Sequence, residues 1–314
     1  MNNGDVPRYS LSSDKVDELV RRHDACTVRK NVKNASIPVQ KLQVAVKKTL
    51  RLCHEPALVH ERDANWILDN DYQLERAVRQ IEKYFPESFY QNLPGIILDE
   101  NTALPRILDI AHAIPGESQL QLTQSFIVQS AHSYQEHSYL LHGELWALPA
   151  MLRLACMTVL ISCFKQLELQ LPEVSIPSPA GTTQITDPTE CIARVIASLV
   201  VLNSIDWPAI VDQLSAIESV LSTDPDSAYG QMNFYTRERY RKAVESLARL
   251  AKQSELTVPR QAISIISVQR SSCTSTLCSA VDFKHATRLG LPYWYLGRSG
   301  ASHWQQHSVM VTKR

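Results

Sequence analysis

Two acidic residues beside a proline are the first candidates for chemistry in this sequence. Asp224 and Asp226 flank Pro225, and a pair of carboxylates can hold a divalent metal against a diphosphate. The same residues are typical of a turn, because aspartate caps the following backbone and proline fixes φ. No strand-like segment precedes them, so we interpret them as a turn after a helix. An enzyme that uses both acids is the least favoured alternative.

Histidines and cysteines are the other potential metal ligands. His132, His137 and His142 recur every five residues, which on a helix rotates successive imidazoles by roughly 140° and prevents their convergence on one ion. We therefore predict that these histidines are polar surface residues. The seven cysteines form no C-x-x-C pair, which is typical of reduced thiols in a cytosolic compartment. Neither structural zinc nor a disulfide framework is expected.

Common catalytic signatures are missing from the sequence. It contains no G-x-S-x-G elbow, no G-x-x-x-x-G-K-[ST] loop and no G-x-G-x-x-G turn. Trp66, Trp146 and Trp207 each stand at the margin of an apolar helix, where an indole can stack on a sugar ring or anchor a core. We favour anchoring in the core. The residues alone spell out no reaction.

The composition indicates a folded protein without a global charge bias. The 314 residues include 32 Lys+Arg against 32 Asp+Glu, and 44% are hydrophobic. This balance argues against a surface built as a whole to bind nucleic acid or an anionic membrane. The start of the chain lacks the basic and apolar segments of a secretory signal, so we expect a cytoplasmic location.

One local stretch departs from this charge balance. Residues 29–51 contain seven Lys or Arg and no acid. Because no aromatic residue interleaves these charges for base stacking, we favour a solvated basic helix face over a surface that binds phosphate or lipid headgroups.

The elements that must position these residues are predicted to be helices. The run from Leu145 to Phe164 is long enough to cross a membrane, but Pro149 and Arg153 interrupt it. We predict a buried helix whose Arg153 reaches water or a carboxylate at the edge of the apolar face. Helical periodicity or capping residues predict further helices: after Ser12, over 67–85, over 120–134, over 191–204, from Trp207 through Leu221 without a break, and through Ala251.

The predicted fold class is all-α, a multi-helix bundle or array with an irregular C-terminal tail. We expect the following organisation: a basic N-terminal helical segment at 1–55, a helical subdomain at 56–170, a Pro/Ser/Thr linker at 171–189, a second helical subdomain at 190–260 and the tail at 261–314.

Three strings of sequence match one family in content and in order. They are Asn65-Trp66-Ile67-Leu68-Asp69-Asn70 with Phe85-Pro86-Glu87-Ser88-Phe89-Tyr90-Gln91-Asn92-Leu93-Pro94, then Gly143-Glu144-Leu145-Trp146-Ala147-Leu148-Pro149 with Leu152-Arg153-Leu154, then Asp206-Trp207 with Met232-Asn233-Phe234-Tyr235-Thr236-Arg237-Glu238-Arg239-Tyr240-Arg241. Together they resemble the N-terminal region of bacterial cyclic β-1,2-glucan synthases, which are very large inner-membrane glycosyltransferases. The resemblance covers residues 60–165 and 190–260.

The resemblance implies a helical segment in the cytoplasm, or at the cytoplasmic face of the inner membrane, that precedes membrane spans and a transferase domain. The full enzyme would use UDP-glucose and a divalent metal to elongate and cyclise a protein-attached glucan. We expect none of these groups to be held by this chain, and no catalytic residue can be carried over. The expected partners are membrane-embedded glycosyltransferase domains in cis or in trans, with indirect membrane contact and no nucleic acid.

The chain is thus predicted to be a non-catalytic module that scaffolds or regulates a membrane glycosyltransferase, and on its own not an enzyme. Its predicted structural or interface positions act through carboxylate–guanidinium pairing and aromatic anchoring: Glu144, Trp146, Arg153, Arg237, Tyr240 and Arg241. The alternative is an independent helical binding module that uses the basic 29–51 stretch to hold a membrane surface or another anionic partner.

Two departures from the family pattern bear on this prediction. The Pro/Ser/Thr linker stands where the family has further helical sequence, which suggests an internal deletion. The end of the chain, from Gly290 onward, is only loosely similar to the family. These departures leave a truncated gene product as an open alternative.

Overall fold

Helices dominate the computed structural model of this chain, which describes residues 10–25, 29–30, 44, 47–48, 51, 66–84, 93–97, 103–167, 187–225 and 227–272. For these described residues the predicted all-α class is confirmed, since 78% of them are helical. The α-helices are α1 Ser13–Ala25, α2 Asp71–Tyr84, α3 Arg106–Glu117, α4 Gln124–Gln135, α5 His142–Gln166, α6 Pro188–Ser204, α7 Trp207–Leu214, α8 Ala216–Leu221, α9 Phe234–Ala251 and α10 Thr257–Ser272, with a 3₁₀ turn at Tyr229–Gln231.

Backbone packing divides the chain into two units. Unit 1 is Met1–Leu214 and unit 2 is Ser215–Arg314. The domain limits predicted from the sequence remain predictions. Most of the predicted linker, 171–186, lies outside the described residues, and so do most of the basic stretch 29–51 and the chain after Ser272.

Helix α5 lies at the centre of unit 1, as its apolar sequence predicts. It packs against α2, α3, α6 and α7, and its buried side chains include Leu145, Leu148, Leu152 and Leu160. The predicted amphipathic helix before Pro86 is also confirmed, because α2 buries Leu74, Ala77, Val78 and Ile81 while its charged side chains face outward. These apolar faces form one continuous core in unit 1.

Length and composition would allow α5 to cross a membrane. An 18-residue window of this helix has a mean hydropathy of 1.8, and 83% of that window is buried inside the structure. A second candidate, formed by α6 and α7 together, is bent by 79° between the two helices. Because the buried core helix of a soluble protein has the same properties, this is weak evidence for a membrane span.

A small antiparallel sheet in unit 1 was not predicted. The strands are β1 Arg29–Lys30, β2 Pro94–Ile97 and β3 Ala103–Pro105, and β2 lies between the other two. Gly95 pairs with Arg29 on one side and with Pro105 on the other. Arg29 therefore lies on a strand instead of the predicted helix. Burial of Ile96 and Leu104 under α3 favours the strands.

The predicted single helix from Trp207 through Leu221 is broken. Helix α7 ends at Leu214, and α8 begins after Ser215, whose Oγ accepts a hydrogen bond from the backbone N–H of Glu218 at 3.2 Å. A serine N-cap favours a new helix start over continuation, because its side chain satisfies a backbone donor of the first turn. The periodic apolar residues on both sides of the break hid it from the sequence analysis.

Unit 2 is built from α8, α9 and α10. Helix α9 starts at an N-cap where Asn233 Oδ1 accepts a hydrogen bond from the Thr236 backbone N–H at 2.9 Å. The helices of unit 2 enclose a small core of Ile217, Leu221, Tyr229, Val244, Ala248 and Val258. Helix α10 continues to Ser272, so the prediction of irregular structure from residue 261 is wrong for its first twelve residues.

Candidate functional site: buried ion pairs within each unit

The first ion pair connects the starts of α3 and α5. Arg106 Nε donates to Glu144 Oε1 at 3.0 Å, and Arg106 Nη2 donates to Glu144 Oε2 at 2.5 Å. Glu144 is fully buried, and Arg106 also donates to the Ser138 hydroxyl and to the Tyr139 carbonyl. Burial opposes the charge on Arg106, but attraction to Glu144 holds the pKa of this guanidinium above its usual range.

Glu144 has a second role at the start of its own helix. Its Oε2 accepts a hydrogen bond from the backbone N–H of Leu141 at 2.9 Å, so the carboxylate also caps α5. The sequence analysis selected Glu144 for guanidinium pairing, and the structure places Arg106 on it. Arg106 was missed, because the two residues are 38 positions apart and no local spacing connects them.

The first turn of α5 also corrects the prediction for one histidine. His132 and His137 are exposed as expected, but His142 is buried. Its ring lies edge-on to Trp146, with 6.5 Å between the centroids and 81° between the planes. His142 is buried because it starts the central helix of unit 1. Trp146 is half-buried against the core, which agrees with an anchoring role.

Arg153 takes partners that the sequence analysis did not name. It is buried in the middle of α5 and donates to the carbonyl of Pro149 and to the carbonyl of Leu202, each at 2.8 Å. A further hydrogen bond reaches Asn203 Oδ1 at 3.2 Å. The last turn of α6 thus supplies two oxygen acceptors to Arg153. A guanidinium is favourable there because the final carbonyls of a helix carry partial negative charge.

A second network in unit 1 joins α1, α3 and α4. Arg22 Nη1 donates to both carboxylate oxygens of Asp109, at 2.7 and 2.8 Å. His23 Nε2 lies 3.1 Å from Asp109 Oδ2, and His23 Nδ1 lies 2.7 Å from the Tyr134 hydroxyl. His23, Asp109 and Tyr134 are all buried. The sequence analysis missed this network, because its members come from three distant parts of the chain.

His112 lies one turn beyond Asp109 on α3. It is buried, and its Nε2 has no hydrogen-bond partner among the described residues. Burial lowers the pKa of His112 to about 4, although the nearby Asp109 carboxylate acts in the opposite direction. The imidazole is therefore neutral at physiological pH.

A single carboxylate is the centre of the network in unit 2. Glu218 accepts hydrogen bonds from the Arg237 guanidinium, from Arg241 Nη1 at 2.7 Å and from the Tyr229 hydroxyl at 2.5 Å. Arg241 is fully buried and also donates to Glu238 at 3.2 Å. Burial and the bond to Glu218 both raise the pKa of Tyr229 above its usual range.

The sequence analysis found the cations of this network but not its acid. It selected Arg237 and Arg241, whereas Glu218 stands on a separate helix and was missed. Helix α9 also carries the i,i+4 ion pairs Glu238/Lys242 and Glu245/Arg249. Arg241 lies against Glu218 and Glu238.

The aromatic member of the predicted set in unit 2 is Tyr240. Its ring packs against Tyr229, with 6.1 Å between the centroids and a tilt of 54°. The Arg241 guanidinium carbon lies 5.2 Å from the centroid of Phe234. Charged and aromatic side chains of α9 thus pack together on the face that turns toward α8 and the 3₁₀ turn.

The acidic pair considered for metal binding behaves as a turn. Asp224 Oδ2 accepts hydrogen bonds from the backbone N–H groups of Ala228 and Tyr229, at 3.0 and 3.2 Å. Asp226 lies outside the described residues. Within the described part of the chain, no group of three or more His, Cys, Asp or Glu side chains is placed to hold a metal ion.

The arrangement can therefore stabilise helix packing. In both units, the charged side chains selected from the sequence form hydrogen bonds with other side chains or with helix ends of the same unit. Breaking such a buried pair costs several kcal/mol, typically about 3 to 5, because the remaining charge stays buried. What these groups do chemically is fix the positions of α3, α5 and α6 in unit 1 and of α8 and α9 in unit 2.

Comparison with known proteins identifies a distant relative of this chain. No family model matches the chain. The chain is 23% identical, over 271 residues, to cyclic beta-(1,2)-glucan synthase NdvB of Rhizobium meliloti (strain 1021). The match covers 65% of this chain and 10% of that synthase, so the chain spans about a tenth of its relative's length. The resemblance found in the sequence is thereby confirmed, and this chain is a distant relative of the cyclic β-1,2-glucan synthase family.

Proposed function

We propose that this chain is a non-catalytic helical module that scaffolds or regulates a UDP-glucose-dependent membrane glycosyltransferase of the cyclic β-1,2-glucan synthase type. One observation carries the proposal: three charged residues in the strings shared with that family, Glu144, Arg237 and Arg241, form ion pairs that pack helices together. Glu144 forms an ion pair with Arg106, and both Arg237 and Arg241 form ion pairs with Glu218. The match to only a tenth of the Rhizobium synthase also supports a role as one module of a larger enzyme.

The carboxylates at the centres of the ion-pair networks, and that of Asp224, are already engaged by other groups of the chain. The buried carboxylates of Asp109 and Glu144 and the half-buried carboxylate of Glu218 each already accept hydrogen bonds from arginine. Asp224 accepts two backbone N–H groups. The sugar donor and metal of the proposed enzyme would thus be held by other domains, in cis or in trans. The proposed location is the cytoplasmic face of the inner membrane.

A chimera tests the scaffolding role. In the Rhizobium synthase, the segment matched by this chain is deleted or replaced by the corresponding residues of this chain, and cyclic glucan is measured. We expect the deletion to abolish synthesis and the replacement to restore it. A second replacement carries Glu144→Gln. It should restore less glucan synthesis, because the substitution breaks the buried pair with Arg106. Full synthesis by the deletion variant would contradict the proposal.

A further inference from the structure

The two most exposed large apolar side chains of the described residues lie on one helix. Tyr235 is 79% exposed and Leu250 is 82% exposed, whereas the next in order, Tyr72, is 56% exposed. Both belong to α9, one near each end. At 100° per residue they lie only about 60° apart around the axis, and at 1.5 Å per residue about 22 Å apart along it. They therefore stand on the same side of the helix.

The residues between them on that side are cationic or small. An arc of about 100° of the helix circumference contains six exposed residues, which we call the α9 outer face. They are Tyr235, Arg239, Lys242, Ser246, Arg249 and Leu250. None of the six is acidic. The face thus combines three cations with an apolar side chain at each end.

The acids of α9 are turned away from this face. Glu238 is buried and Glu245 is half-buried, and they contact the edges of the face through Lys242 at 3.4 Å and Arg249 at 2.6 Å. Because Lys242 and Arg249 are each more than half exposed, these i,i+4 pairs are weak, and the cations remain available to a stronger anion.

Exposed Tyr and Leu beside cations are suited to one kind of partner. An anionic bilayer takes apolar side chains at the boundary between headgroups and acyl chains, and it attracts Lys and Arg through its phosphates. A nucleic acid would use the cations but gives no apolar environment to Leu250. We propose that the α9 outer face binds the surface of a bilayer that contains anionic phospholipid, with α9 parallel to the membrane plane.

This proposal goes beyond the scaffolding function and does not rest on it. The sequence analysis expected only indirect membrane contact, or contact through the basic stretch 29–51. The α9 outer face lies in unit 2 and is carried by its own exposure and charge. The test must therefore separate this face from the basic stretch.

The experiment is vesicle co-flotation of the full chain. The probes are vesicles of phosphatidylcholine alone and vesicles in which about one third of the lipid is phosphatidylglycerol, at low and moderate salt. One variant carries Arg239→Gln and Lys242→Gln, and a second carries Tyr235→Ser and Leu250→Ser. The matched control carries Lys47→Gln and Lys48→Gln, which neutralises the same number of exposed cations in the basic stretch. Thermal unfolding verifies that each variant is folded.

We expect binding to the anionic vesicles only, and weaker binding at higher salt. Loss of Arg239 and Lys242 should weaken binding about 25-fold, since each cation near an anionic surface contributes roughly fivefold. Loss of Tyr235 and Leu250 should weaken it about tenfold, as expected for partial apolar insertion. The Lys47 and Lys48 control should bind like the unsubstituted chain.

Other results would overturn the proposal. They are absence of vesicle binding, equal binding to neutral vesicles, or unchanged binding by the α9 variants. Loss of binding in the Lys47 and Lys48 control alone would assign the contact to the basic stretch instead. Binding to duplex DNA without binding to anionic vesicles would also contradict it. If the double variant unfolds, Arg239→Gln alone should still bind about fivefold more weakly.

Discussion

Arg106 and Glu144 form a two-pronged ion pair inside unit 1, although 38 positions of the chain separate them. The pair joins the first residue of α3 to the first turn of α5, where the Glu144 carboxylate also caps the helix backbone. Neither residue can be replaced singly without leaving buried charge or an unsatisfied donor. Glu144 belongs to the Gly143–Pro149 string that resembles the synthase family, so this string takes part in packing the central helix of unit 1.

Glu144→Gln should reduce the free energy of unfolding by about 3 to 5 kcal/mol, because Arg106 would remain buried without its counter-charge. The control is Glu75→Gln. Its partner Arg79 is 3.6 Å away and both side chains are well exposed, so the loss should stay below about 1 kcal/mol. Urea unfolding monitored by circular dichroism compares the two. Equal losses of unfolding free energy would show that the buried pair stabilises the fold no more than the exposed pair does.

Glu218→Gln should destabilise unit 2 by about 3 kcal/mol or more, since two arginines and a tyrosine hydroxyl share this carboxylate. Glu245→Gln is the matched control, because the partner of Glu245 within the described part of the chain is the exposed Arg249. That change should cost under about 1 kcal/mol. Thermal unfolding of both variants checks the prediction, which fails if the two midpoints coincide.

His112 should make the fold sensitive to acid. Its pKa falls from 6.5 to about 4 on folding, so the unfolded chain takes up the proton first. Stability is unaffected by this group above about pH 6.5 and is lost progressively as the pH falls toward 4, by about 3 kcal/mol. His112→Gln should flatten this part of the stability profile. Urea unfolding at a series of pH values measures it, and parallel profiles would refute the assignment.

The three described cysteines, Cys156, Cys163 and Cys191, should differ in reactivity. Burial raises the pKa of Cys156 to about 12, whereas a hydrogen bond from Cys163 lowers the pKa of Cys191 against the effect of its burial. Because the thiolate is the reactive form, iodoacetamide should modify Cys191 before Cys156 in the folded protein. Peptide mass spectrometry follows the order, and urea should abolish it. Equal rates in the folded protein would be inconsistent with these environments.

Local patterns in the sequence predicted the helices whose apolar faces are long. Helix α2 buries several side chains at helical spacing, so periodicity located it, whereas α5 is buried on almost every side and was located by the length of its apolar run. Strands β2 and β3 have only four and three residues, which is too short for alternation to be seen. The helix break at Ser215 was hidden because apolar residues continue on both sides with the same period.

Partners in the candidate site were harder to predict than the site residues. Glu144, Arg237 and Arg241 were identified through the shared strings, whereas Arg106 and Glu218 were not. A charged pair between distant segments leaves no spacing signal in one sequence. Arg153 shows the same limit, since its carbonyl partner belongs to the end of another helix.

The most direct test of the central claim is incorporation of labelled UDP-glucose by the purified chain with a divalent metal, with and without membranes from a cell that lacks its own synthase. The account predicts no protein-bound or cyclic glucan from the chain alone. Incorporation by the chain alone would contradict it, because a catalytic site would then lie within residues that we assign to packing.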